Sequence, residues 1–127
     1  MRLRLPVSST DEEQDEERWV PDPHLLRVET NKVTDYLLNP LHQVGAAKAR
    51  FFSMVGFSQG NVEEFIGALR SHSAKNKIME TVSHAYGIKI VVECFMPTPS
   101  GEEYCIRTVW NDHQDGAPPR LVTAHPL

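Results

Sequence analysis

Residues 88–96, IKIVVECFM, form the densest run of β-branched and apolar residues in the chain, and they read as a strand. Before them, His84-Ala85-Tyr86-Gly87 has turn character, and Lys77–Ser83 reads as a preceding strand. After them, Pro97-Thr98-Pro99-Ser100-Gly101 is a turn and Tyr104–Trp110 (YCIRTVW) is the next strand. Asn111–Pro119 is a polar loop rich in Gly and Pro, and Arg120–His125 (RLVTAH) is the last strand. Linkers this short join antiparallel neighbours.

Upstream the periodicity is helical. Residues 25–38 alternate short apolar pairs with polar residues, Thr34 or Asp35 is the candidate cap of a short turn, and Asn39-Pro40 ends it. Gly45–Val55 reads as a helix with Gly56 as its stop. Ser58 or Asn61 caps a second helix, in which Val62, Phe65, Ile66 and Leu69 form an apolar stripe ending near residues 73–76. The class is therefore α+β: two or three N-terminal helices packed on one face of a mostly antiparallel sheet of about four strands.

The 127 residues suit one domain, and 40% apolar content is too high for full disorder. No apolar run approaches the roughly 18–20 residues of a membrane helix, and MRLRLPVSST lacks the apolar core of a signal peptide. Six acids stand in residues 11–17, DEEQDEE. Without residues 1–18 the chain keeps 11 acids against 10 bases, a net charge of −1 rather than −4. That is not the balance of a non-specific nucleic-acid binder, so any such site must be a local cationic cluster. Residues 1–23 read as an acidic tail or linker, or as a segment that covers a basic cleft, and residues 24–127 as the domain. Cys94 and Cys105 lie in strand-like runs without zinc spacing. They read as two buried thiols, with a disulfide between neighbouring strands left open.

Side chains alternate along a strand. The more apolar, even-numbered set (Ile88, Ile90, Val92, Tyr104, Ile106, Thr108, Trp110, then Arg120, Val122, Ala124) faces the helices if no bulge intervenes. The odd-numbered set then gathers Lys89, Glu93, Arg107, Thr123 and His125 on the open face. Ahead of the first long helix, His42 sits in a loop, and Lys48 and Arg50 ride on an otherwise apolar helix. Cleaving RNA without a metal needs a base for the 2′-hydroxyl, an acid for the leaving 5′-oxygen, and cations or donors for the phosphorane charge. His42, Lys48, Glu93, Arg107, Thr123 and His125 supply these types. Each has a plainer reading: surface histidines, a solvated lysine, a Glu93–Arg107 salt bridge, an ordinary strand threonine. Tyr86 and Trp110 have rings that can stack on bases, though Trp110 falls on the packed face; His24, His72, His84 and His113 are given no role.

The blocks TDYLLNPLH, GAAKARFF, GF, YGIKIVVE, IRTVW and PRLVTAHPL, spanning Lys32–Leu127, resemble a small bacterial domain. That domain occurs alone beside a small partner gene and as the last module of large polymorphic toxins. Its layout is similar to metal-independent ribonuclease toxins of the barnase, EndoU, colicin and RelE type. The resemblance implies that His42 and Lys48 face Arg107 and Thr123, with Glu93 and His125 nearby. His125 stands where the resemblance leads one to expect Tyr.

The expectation is a metal-independent ribonuclease-like toxin domain that needs no cofactor or metal. RNA, tRNA included, would be its substrate and a small immunity or antitoxin protein its partner. No membrane association is expected, and it would act in the cytoplasm, its own or that of a target cell. The alternatives are a non-catalytic protein-interaction module of a toxin–immunity or toxin–antitoxin pair, and a binder of small phosphates, although no Walker-type or GxGxxG loop is present.

Overall fold

The computed structural model describes residues 18–127, in which glycine, proline and asparagine mark several of the element ends. A 3-10 turn at Pro23–Leu25 leads to α1, Thr30–Lys32, which widens into a π turn over Val33–Leu37. There the Leu38 N–H reaches back five residues to Val33 O at 2.8 Å. Asn39 closes the segment. Its Nδ2 donates to Asp35 O at 3.2 Å and its Oδ1 accepts from Leu41 N–H at 3.0 Å. Helix α2, Ala46–Met54, stops at Gly56, whose φ of +108° suits only a residue without Cβ. Ser58 and Asn61 then exchange side-chain and backbone hydrogen bonds in a capping box, and α3 runs over Val62–Lys75.

Four strands follow: β1 Ile78–His84, β2 Gly87–Pro97, β3 Glu103–Asp112 and β4 Arg120–Pro126. They pair antiparallel in the order β1-β2-β3-β4. The fold is the expected α+β arrangement. Ile90, Val92 and Met96 of β2 and Ile106, Thr108 and Trp110 of β3 are buried. They share one core with Phe65, Ile66 and Leu69 of the α3 stripe and with Phe52 and Leu37. Phe57 and Phe65 stack with centroids 4.3 Å apart.

Straight alternation fails in β4. Val109 pairs with Thr123 but Trp110 pairs with Leu121, so Val122 is the extra residue of a bulge. Leu121 therefore turns inward (2% exposed) with Ala124, and Val122, expected inside, is 40% exposed. Thr123 and His125 keep the register positions opposite Val109 and Arg107. The expectation of two buried thiols is also corrected: Cys94 and Cys105 form a disulfide across β2 and β3, with Cα atoms 4.2 Å apart. Such a crosslink stabilises by about 2–4 kcal/mol, chiefly by restricting the unfolded chain. Of the tail expected over residues 1–23, residues 1–17 lie outside the described residues. Val20 is in the core, and Ile78 N–H donates to Arg18 O.

One turn beyond the apolar stripe, α3 buries His72 (1% exposed). Its Nε2–H donates to the Cys94 and Ile106 carbonyls, both at 3.0 Å. Its Nδ1 accepts from the Thr108 hydroxyl at 3.2 Å, and that oxygen accepts from Trp110 Nε1–H at 3.0 Å. Only neutral imidazole satisfies this chain, since a proton on Nδ1 would face the hydroxyl it needs as donor. Burial holds His72 below the ordinary histidine pKa, partly countered by the two carbonyls. The folded pKa thus lies below the unfolded value of about 6.5. The stability this neutral group confers is complete above about pH 6.5 and is lost as pH falls towards the folded pKa. Urea midpoints taken from about pH 8 to about pH 5 should fall with acid in the wild type. In His72→Gln, less stable at neutral pH, the acid slope over that range should be shallower.

Candidate functional site

Tyr36 lies in the π turn, a widening that often marks functional segments, and its phenol joins three elements. Lys48 Nζ of α2 donates to it at 2.5 Å, and Thr123 Oγ1 of β4 lies 3.2 Å away. Lys48 Nζ and Lys32 Nζ also stand 5.0 and 5.3 Å from the ring centroid. Gly45 makes this approach geometrically feasible. A Cβ there would sit 2.8 Å from Tyr36 Cδ1 and from its carbonyl oxygen, so only glycine lets the ring lie against the start of α2. Burial by itself pushes the phenol pKa up. The hydrogen bonds of Lys48 and Thr123, and then the charges of Lys48 and Lys32, outweigh it and hold Tyr36 below the ordinary tyrosine value.

His42 packs edge-on to Tyr36, with centroids 5.0 Å apart. Its Nδ1 accepts the backbone N–H groups of Val44 and Gly45 at 3.1 and 3.0 Å. The neutral ring must therefore carry its proton on Nε2. In this geometry His42 orders the entry to α2 and presents an N–H donor.

The second group is a row across the sheet, where Glu93, Arg107 and His125 are register partners on β2, β3 and β4. Arg107 Nε meets Glu93 Oε2 at 2.5 Å, and the two side chains are 41% and 12% exposed. The guanidinium is thus open to solvent while its carboxylate partner is mostly covered. The pair uses Nε, leaving four of the five guanidinium N–H donors of an arginine. His125 Nδ1–H donates to the Pro126 carbonyl at 3.1 Å, so Nε2 carries the lone pair of the neutral ring.

The two groups adjoin through β4. Thr123 is two residues from His125, about 7 Å at strand rise. It is also the diagonal neighbour of Arg107, a separation of about 7–8 Å. Of the residues singled out in the sequence, His42, Lys48 and Thr123 gather round Tyr36. Glu93, Arg107 and His125 stand together beside them. Tyr36, Lys32 and Gly45 escaped the sequence reading, although Tyr36 lies within the TDYLLNPLH block; nothing local to it signals a partner 87 residues away.

Among the described residues, no group of three or more His, Cys, Asp or Glu is placed to hold a metal ion. No helix among them is long and apolar enough to cross a membrane. Residues 20–127 match the family model of a domain of unknown function, DUF6883. No curated protein matches the sequence. Among solved structures, a chain of the contact-dependent growth inhibition toxin–immunity protein complex from Klebsiella pneumoniae 342 has a similar fold. The TM-score is 0.63 at 18% identity, over 78% of this chain and 91% of that one.

Proposed function

The chain belongs to the DUF6883 family, and from its geometry we propose that it is a toxin domain that cleaves RNA without a metal. The coarser part of this reading, a toxin or toxin-partner domain, is supported by the fold it shares with a chain of a toxin–immunity complex. The observation that carries the finer part is the Lys48–Tyr36–Thr123 hydrogen-bond chain beside the solvent-open Arg107.

In this mechanism the Tyr36 phenolate, favoured by Lys48 and Thr123, takes the proton of a ribose 2′-hydroxyl. The 2′-oxygen then attacks phosphorus and the bond from phosphorus to the 5′-oxygen breaks. Protonated His125 gives its Nε2 proton to that leaving oxygen. The products are a 2′,3′-cyclic phosphate and a 5′-hydroxyl. Arg107 grips the non-bridging oxygens, which gain charge in the transition state. His42 Nε2–H and Lys48 add donors there. Glu93 holds the guanidinium in place. The substrate is RNA, tRNA included, and an immunity protein of the producing cell is the natural partner.

Purified domain incubated with total RNA and EDTA should yield fragments ending in 2′,3′-cyclic phosphate, detected by end-group labelling. Intact RNA under those conditions overturns the proposal. It would favour the second reading, an interaction module of a toxin–immunity pair. The exposed Met79, Val82 and Phe95 of β1 and β2 favour that reading.

A further inference from the structure

At the far end of β3 from the disulfide, a second polar cluster has no part in the chemistry above. Asn111 is buried (9% exposed). Its Oδ1 accepts from His84 Nε2–H at 2.7 Å and its Nδ2 donates to the Tyr86 carbonyl at 3.1 Å. His84 Nδ1 in turn accepts the Tyr86 N–H at 3.2 Å. This closed ring of hydrogen bonds rigidifies the β1–β2 turn, yet the Tyr86 side chain is 76% exposed. Tyr86, His84, His113 and Gln114 line an open cleft of 560 Å³. Asn111 Nδ2 lies 3.2–3.3 Å from the ring nitrogens of His113, which places that imidazole at the cleft wall.

Asn111 is four residues along β3 from Arg107, about 14 Å at strand rise, on the same alternating face. Its register partner on β2 is Lys89, which is exposed. An exposed aromatic ring on a hydrogen-bonded turn, edge-on to His84 with centroids 6.1 Å apart, suits a nucleobase, and Lys89 on the adjoining strand suits its phosphate. Because the turn backbone that carries the ring is already held, little of its conformational freedom is lost on binding.

We infer that Tyr86, with His113 and Lys89, forms a subsite that stacks a base of single-stranded RNA flanking the cleaved phosphate. The inference rests on the ribonuclease reading. With about 14 Å of strand between Arg107 and the Asn111 that holds the turn, we place the subsite beyond the scissile pair, where it serves substrates longer than a dinucleotide. The test compares kcat/KM for a short oligoribonucleotide with that for a dinucleotide, in EDTA. Tyr86→Ala should lower the ratio of the two by about 5–150-fold, the range of one base-aromatic stack. Tyr86→Phe, which keeps the ring, should retain the wild-type ratio. A wild-type ratio in Tyr86→Ala overturns the subsite and leaves the ribonuclease reading standing. Equal loss on both substrates places Tyr86 at the reacting centre and also overturns it. A wild type that cleaves neither substrate overturns both.

Discussion

Lys48→Met should cut RNA cleavage by about 100–1,000-fold and move the rising limb of its pH profile to higher pH. The magnitude is that of losing one preorganised charged donor at a reacting centre, about 2.7–4 kcal/mol. The shift has a separate cause. Lys48 contributes both a hydrogen bond and a charge to the lowering of the Tyr36 pKa. If the Tyr36 phenolate is the base, kcat/KM rises as that phenol ionises. Without Lys48 the burial of the ring acts less opposed, and ionisation needs more alkaline solution. Absorbance titration of the tyrosines should show the same displacement without any substrate. Lys48 is only half-buried, so the variant should stay folded. A loss of rate with an unmoved profile would exclude Tyr36 as the base. Arg107→Lys should give a comparable loss with no such displacement. It keeps a charge opposite Glu93 but lacks the planar fork that fits two phosphate oxygens.

The largest effect on stability should come from Gly87→Ala. Gly87 has φ +128°, and a Cβ there would fall 2.1 Å from the Asp112 carbonyl oxygen and 2.9 Å from its carbon. No rotamer relieves a clash between backbone and Cβ. Backbone strain of about 1–3 kcal/mol adds to an overpacking cost of about 1–3 kcal/mol. Against a total of about 5–15 kcal/mol for a domain, that is a large share. At about 4 °C per kcal/mol, where the ranges for smaller and larger domains meet, thermal unfolding should begin at least about 8 °C lower. Differential scanning calorimetry measures this directly. A midpoint within about 2 °C of the wild type would mean that β2 and β3 are not so closely apposed there.

Strands and helices were legible in the sequence because their signals are local. The run at 88–96, the 62–69 stripe, and the stops at Asn39-Pro40, Gly56 and Gly87 each depend on neighbours a few residues away. The bulge in β4 was not legible, because period-two alternation assigns a face only while no residue is inserted. Val122 looks like any other strand valine. Candidate cations and imidazoles were found by type, but their roles depend on contacts between distant segments. His42 is chemically equivalent to His125 in sequence. Only the structure distinguishes an imidazole whose Nδ1 accepts backbone N–H groups from one whose Nδ1 donates to a carbonyl. Tyr36 was overlooked for the same reason, since both its strongest partners come from other elements.

The π turn that carries Tyr36 has one residue more per winding than an α-helix would. Each residue of an ordinary helix advances the direction of a side chain by about 100°. Loss of a single residue between Val33 and Tyr36 would therefore swing the phenol off Lys48 and Thr123 and, by the same rotation, turn Leu37 and Leu38 out of the interior against which Val33 packs. The length of this short winding thus couples the aim of the phenol to the seating of two core leucines, so neither can be re-registered alone.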